Sequence, residues 1–182
     1  MWRPRWMEGH EEVRTGWSRW DSLWPFLLFY CNFLKGVFLL RIAVVDGQGG
    51  GIGKHITARL RQELPPEVEI LALGTNAAAT VAMIKAGANE GATGERAIIY
   101  NAPRVEAITG SLAIILADAM LGELTPAMAA AIAASPARKF LLPINRSGVE
   151  VIGVTPEPLP HLIEALVNRV KFFYQEGGDK DV

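Results

Sequence analysis

Asp46-Gly47-Gln48-Gly49-Gly50-Gly51-Ile52-Gly53-Lys54 is the part of this sequence best suited to chemistry. It follows Arg41–Val45, a β-branched run that reads as a buried strand, and it opens a segment of helical spacing. A ligand phosphate in such a place needs three things. The chain must turn tightly, the backbone must approach the anion without a Cβ in the way, and helix and strand must pack closely. Amides at the helix N-terminus then face the ligand, where the helix dipole favours negative charge. A bare strand–helix turn is the competing reading, but a turn alone rarely needs five glycines.

Spacing narrows the loop type. The strict G-x-G-x-x-G form fails, because Gly47 and Gly49 are followed by Ile52 at the third position. A P-loop fails as well, since Gln48 stands where its first glycine belongs and His55 where Ser or Thr would hold magnesium. Gly47-x-x-x-Gly51-x-Gly53 remains, and it resembles the cofactor loop of short-chain dehydrogenases over the first strand, loop and helix only. That family's Y-x-x-x-K pair is missing, with Arg104 at the lysine spacing from Tyr100. Gly74-Thr75-Asn76 replaces the usual acidic residue after the second strand, which removes a feature favouring NAD.

In a parallel sheet, ligands bind outside the carboxyl ends of the strands. The residues expected there, beside Asp46–Gly53, are Thr75, Asn76, Thr93, Thr109, Gly110, Ser111, Asn145 and Arg146. All are small or hydrogen-bonding, although such residues are also ordinary loop formers. Arg146 is the candidate clamp for phosphate or carboxylate, a solvated hairpin arginine being the alternative. Asp46 orients a ribose or a metal-bound water, or only caps the turn. Lys54 and His55 are read as exposed, and Asp118 as a solvent-facing helix position, an inward carboxylate being the alternative.

The elements that must hold these residues alternate strand and helix. Strands are expected at Arg41–Val45, Val68–Leu73, Ala107–Thr109, Lys139–Ile144 and Glu150–Val154, with a short one within Gly87–Thr93. Helices are expected at Ile52–Glu63, Asn76–Ala86, Glu95–Asn101, Ser111–Leu121, Thr125–Ala134 and Leu159–Phe173. The fold class is therefore α/β: a Rossmann-like three-layer fold, mainly parallel, with a C-terminal hairpin turning at Asn145–Gly148. The domain runs from residue 41 to 174, and residues 175–182 form a frayed tail.

Residues 1–40 differ in kind, holding all five tryptophans and the lone cysteine, Cys31. Leu23–Leu40 is apolar enough to suggest a membrane span, but Pro25, Asn32, Lys35 and Gly36 interrupt it. It also runs into the first strand without a linker, so membrane anchoring is disfavoured. The preferred reading is an extension outside the fold, arising from a misassigned start. One cysteine excludes an intrachain disulfide, and the three dispersed histidines give no metal spacing. A net charge of −1 without a basic block argues against nucleic acid as partner. The default compartment is cytoplasmic.

Arg41–Gly53, together with Leu121-Gly-Glu-Leu-Thr-Pro126 and Pro143-Ile-Asn-Arg146, closely resembles an uncharacterised bacterial family, domain of unknown function 3842. The resemblance spans nearly the whole core and implies a compact bacterial protein with no established activity. The chain departs from it at Ser111-Leu112 and at Ser147, where many members carry Cys. The function expected is nucleotide binding, with NADP or another phosphorylated nucleotide as the small phosphorylated ligand. A small NAD(P)-dependent oxidoreductase and a non-catalytic sensor or scaffold are the alternatives. The alanine-rich Ala127–Ala134 segment would permit a homodimer.

Overall fold

The computed structural model describes residues 40–144 and 148–177. The readings of residues 1–39, of Asn145, Arg146 and Ser147, and of residues 178–182 lie outside the described residues.

Five strands form one sheet: β1 (Arg41–Asp46), β2 (Glu69–Gly74), β3 (Glu90–Thr93), β4 (Ala107–Ser111) and β5 (Arg138–Leu142). Their order is β3-β2-β1-β4-β5, and every pairing is parallel. Among the described residues five α-helices connect or cover them: α1 (Gly51–Glu63), α2 (Ala77–Lys85), α3 (Glu95–Asn101), α4 (Pro126–Ala134) and α5 (Leu159–Gln175).

Strand alternation builds two cores. Ile42 and Val44 of β1, with Ile70 and Ala72 of β2, face Ile56 and Leu60 of α1, Met83 of α2 and Val167 and Val170 of α5. The intervening Ala43, Val45, Leu71 and Leu73 face Ile98 of α3 and Met128 and Ile132 of α4 on the opposite side. Both sides of the sheet are covered, which is why β1 and β2 read as apolar runs rather than as alternating strands. Leu40, assigned to the extension from sequence, is fully buried in the first core, and its carbonyl accepts the Glu69 amide.

Two expectations need correction. The C-terminal hairpin does not form: Glu150–Val154 carries no strand, and β5 ends at Leu142 as a parallel edge strand. Val149, Val151, Ile152 and Val154, whose β-branched character suggested a strand, remain exposed. The predicted helix over Ser111–Leu121 is reduced to one 3₁₀ turn, Leu112–Ile115, followed by turns. Asp118, Met120 and Leu121 there have φ of 59°, 59° and 62°, values incompatible with a right-handed helix. The predicted caps of α2 and α4 are present: Asn76 accepts the Ala79 amide and Thr125 the Met128 amide. Among the described residues no helix is long and apolar enough to cross a membrane.

Candidate functional site

From β1 the chain crosses to β2 and β3 on one side, and returns through α3 to β4 on the other side of β1. Connections therefore leave the carboxyl ends of β1 and β4 in opposite directions, opening the crevice in which such sheets bind ligands. A cavity of about 490 Å³ lies there. Its walls are the glycine turn from Asp46 to Ile52, residues 111–121 following β4, and Ile144. The volume falls within the range usual for small-molecule sites.

Asp46 organises the turn. It is buried; its Oδ1 accepts the Gly47 amide at 2.9 Å and its Oδ2 the Gly53 amide at 2.6 Å. Burial raises its pKa, and the amides of Gly53 and Gly47 pull the other way; nearby Glu123 adds to the rise. The carboxylate thus meets one of the donors at the start of α1 that a ligand anion would otherwise take.

The glycines divide into two groups. At Gly47 an added Cβ would lie 2.5 Å from Thr75 Oγ1, and at Gly53 it would lie 2.7 Å from Asp46 Cβ. Gly50 has φ of 67° and would meet the Ala79 backbone. These three are required by the turn and by packing. Gly49 and Gly51 are different: an added Cβ would meet nothing within 4 Å, and neither has a positive φ. Both line the cavity, and among the described residues their amides have no hydrogen-bond partner.

Of the other residues expected at the rim, Thr109 is fully buried inside the sheet, its hydroxyl donating to the Ala43 carbonyl at 3.3 Å. Gly110 is also internal; a Cβ there would sit 2.7 Å from the Val45 carbonyl. Neither reaches the cavity, because β4 extends two residues beyond the predicted end. Ser111 becomes the residue of β4 that does. Thr75 and Asn76 stand at the end of β2, but their side chains are engaged by Glu123. Lys54 and His55 are exposed, and Asp118 is an exposed wall residue in a turn.

Glu123 is the residue that sequence reasoning missed. Its Oε2 accepts the Gln48 amide at 2.8 Å, the Thr75 hydroxyl at 2.6 Å and the Asn76 side-chain amide at 2.8 Å. These bonds, that of Thr75 foremost, lower its pKa. The available signal was its place in Leu121-Gly-Glu-Leu-Thr-Pro126, which ordinary propensity cannot interpret. Met120 and Leu121, beside it, also line the cavity.

The cavity's charged side chains are the carboxylates of Asp46 and Asp118, with no basic side chain among the described lining residues. No group of three or more His, Cys, Asp or Glu side chains suited to a metal occurs among the described residues. Tyr100 and Arg104 stack on each other at 3.8 Å and lie outside the cavity.

A family model for Domain of unknown function (DUF3842) matches residues 41–175, which contain every strand and helix of the described residues and the cavity wall. The chain belongs to this family. No curated protein matches the DUF3842 chain in sequence. Among solved structures it is similar to a dodecameric FMN-dependent UbiX-like decarboxylase from Escherichia coli O157:H7. Identity is 15%, the TM-score is 0.37, and the match covers 75% of this chain and 94% of that one.

Proposed function

We propose that this DUF3842 protein binds a phosphorylated, nucleotide-type ligand, NADP or a relative, in the cavity between the glycine turn and residues 111–121. One observation carries the reading. Gly49 and Gly51 line the cavity, have amides without a partner among the described residues, and occupy positions where neither packing nor backbone conformation requires glycine. A missing side chain that the fold does not need is explained by close approach of a ligand to the backbone. Asp46 takes one donor of the turn, and the amides of Gly49 and Gly51 remain to meet a phosphate. Apolar surface from Ile52, Ala113, Met120 and Ile144 suits the flat part of a nucleotide.

Binding rather than hydride transfer is the preferred reading. The Tyr100 and Arg104 side chains, the nearest match to a catalytic tyrosine–lysine pair, are stacked together away from the cavity.

Thermal-shift measurements on the full chain with NAD, NADP, ATP, FAD, coenzyme A and sugar phosphates test the proposal. A nucleotide at 100 times its Kd should add about 2.7 kcal/mol of stability through linkage. Gly51→Val should fold and lose that shift. No shift with any of these compounds at millimolar concentration overturns the proposal.

A further inference from the structure

Three donors, one from the glycine turn and two from the end of β2, converge on one oxygen of Glu123: the Gln48 amide, the Thr75 hydroxyl and the Asn76 side-chain amide. The donors are positioned independently of that oxygen. The Thr75 amide binds the Asp46 carbonyl at 3.0 Å. Asn76 caps α2 through Oδ1, and its Nδ2 also donates to the Gln48 carbonyl at 2.9 Å.

The acceptor is carried by a strained connection that local backbone hydrogen bonds and the buried Leu124 hold in place. Glu123 follows Asp118, Met120, Leu121 and Gly122, all with left-handed φ, and Leu121 is 95% exposed. Three non-glycine residues in that conformation make the connection costly to keep in its present form. A fixed donor set is thus matched to a negatively charged oxygen that is carried by a strained segment.

We propose that Gln48, Thr75 and Asn76 form an oxyanion subsite of this pocket, for a phosphoryl or carboxylate oxygen of the ligand. Glu123 is an internal stand-in that the ligand displaces. The inference rests on the pocket reading above, since Gln48 belongs both to the cavity wall and to the donor set. Displacement needs only the Glu123 side chain to turn away, so the cavity wall stays in place and the subsite and the glycine turn accept the ligand together.

Titration calorimetry of the full chain with inorganic pyrophosphate, and separately with malonate, tests this in the wild type and in Glu123→Ala. If Glu123 competes with the ligand, its removal tightens binding at least tenfold; adding Thr75→Val to Glu123→Ala reverses most of that gain. A gain with pyrophosphate alone assigns the subsite to phosphoryl groups, and a gain with malonate alone assigns it to carboxylates. Equal or weaker binding of both by Glu123→Ala overturns the proposal, because a scaffold residue would produce that result. Should Glu123→Ala not fold, Glu123→Gln removes the charge at constant size, and the same comparison decides. A nucleotide shift in the wild type that Gly51→Val abolishes, with pyrophosphate binding indifferent to Glu123, leaves the pocket and sinks only the stand-in. Tight pyrophosphate binding by Glu123→Ala without any nucleotide shift supports the subsite and removes the nucleotide.

Discussion

Asp46 Oδ2 accepts the Gly53 amide at 2.6 Å, so the last residue of β1 caps the first turn of the helix that follows it. Its other oxygen holds Gly47, and one buried carboxylate closes the glycine turn from both ends. Asp46→Asn keeps one acceptor and sets an N–H₂ group against an N–H. A buried donor left unsatisfied costs about 1–3 kcal/mol. Urea denaturation at about pH 4, where the buried carboxyl's ionisation cost is small, should show a loss of that order, and unchanged stability would mean that the turn does not depend on this side chain.

The two acidic residues of the site oppose each other in their pH dependence. Glu123 has a pKa below its ordinary 4.5, so its contribution is fully present above that value and disappears as pH falls through the lower, folded value. Asp46 has a pKa above its ordinary 3.8; its ionisation costs the fold stability, and that cost grows as pH rises through the raised value. Urea melts between about pH 3 and pH 7 separate them. Glu123→Gln should flatten the loss on the acid side, and Asp46→Asn should remove the opposing slope.

Two glycines in one turn should respond differently to alanine. At Gly53 the new Cβ would lie 2.6 Å from Met83 Sδ, which can swing away, and 2.7 Å from Asp46 Cβ, which cannot. Overpacking of this kind costs about 1–3 kcal/mol. At Gly51 the Cβ meets nothing and the backbone is already compatible, so stability should hold or rise by about 0.4–1 kcal/mol. Denaturation curves for the two variants, recorded with the ligand screen, would separate the folding glycine from the binding one.

Leu121 offers a gain in stability. Its φ is 62° and it is 95% exposed, so it takes a left-handed conformation with almost no burial in return. A left-handed non-glycine residue costs about 1–2 kcal/mol, part of which glycine returns through its greater unfolded-state entropy. Leu121→Gly should therefore stabilise the free protein by roughly 0.5–1 kcal/mol. A decrease in Tm would show that the leucine makes contacts that outweigh the strain.

The sheet was largely legible in the sequence because burial on both faces writes itself as apolar runs, as in Ile42–Val45 and Ile70–Leu73. Asn76 and Thr125 marked helix starts through a local hydrogen bond, which depends on few residues and so survives in the sequence. Other features depended on distant partners. Glu123 reaches Gln48 across 75 positions, and nothing local predicts that contact. Ser111–Leu121 has helix-compatible composition, yet Asp118, Met120 and Leu121 stand in left-handed turns closed by backbone bonds to Gly122, Glu123 and Leu124. The β-branched residues of Glu150–Val154 have strand propensity without a strand partner, and propensity alone does not supply one.

The strand order also bears on the route by which the domain is made. β1 precedes the other strands in the chain yet lies at the centre of the sheet, between β2 and β4. While β1, β2 and β3 pair in succession, the other edge of β1 stays open until β4 is synthesised, with Glu106 lying 65 positions beyond Arg41. During that interval a strand that is buried in the finished sheet presents unpaired amides and carbonyls, a form prone to intermolecular pairing. Nascent chains halted before β4 should accordingly need a chaperone's cover, whereas those that have released β4 should not.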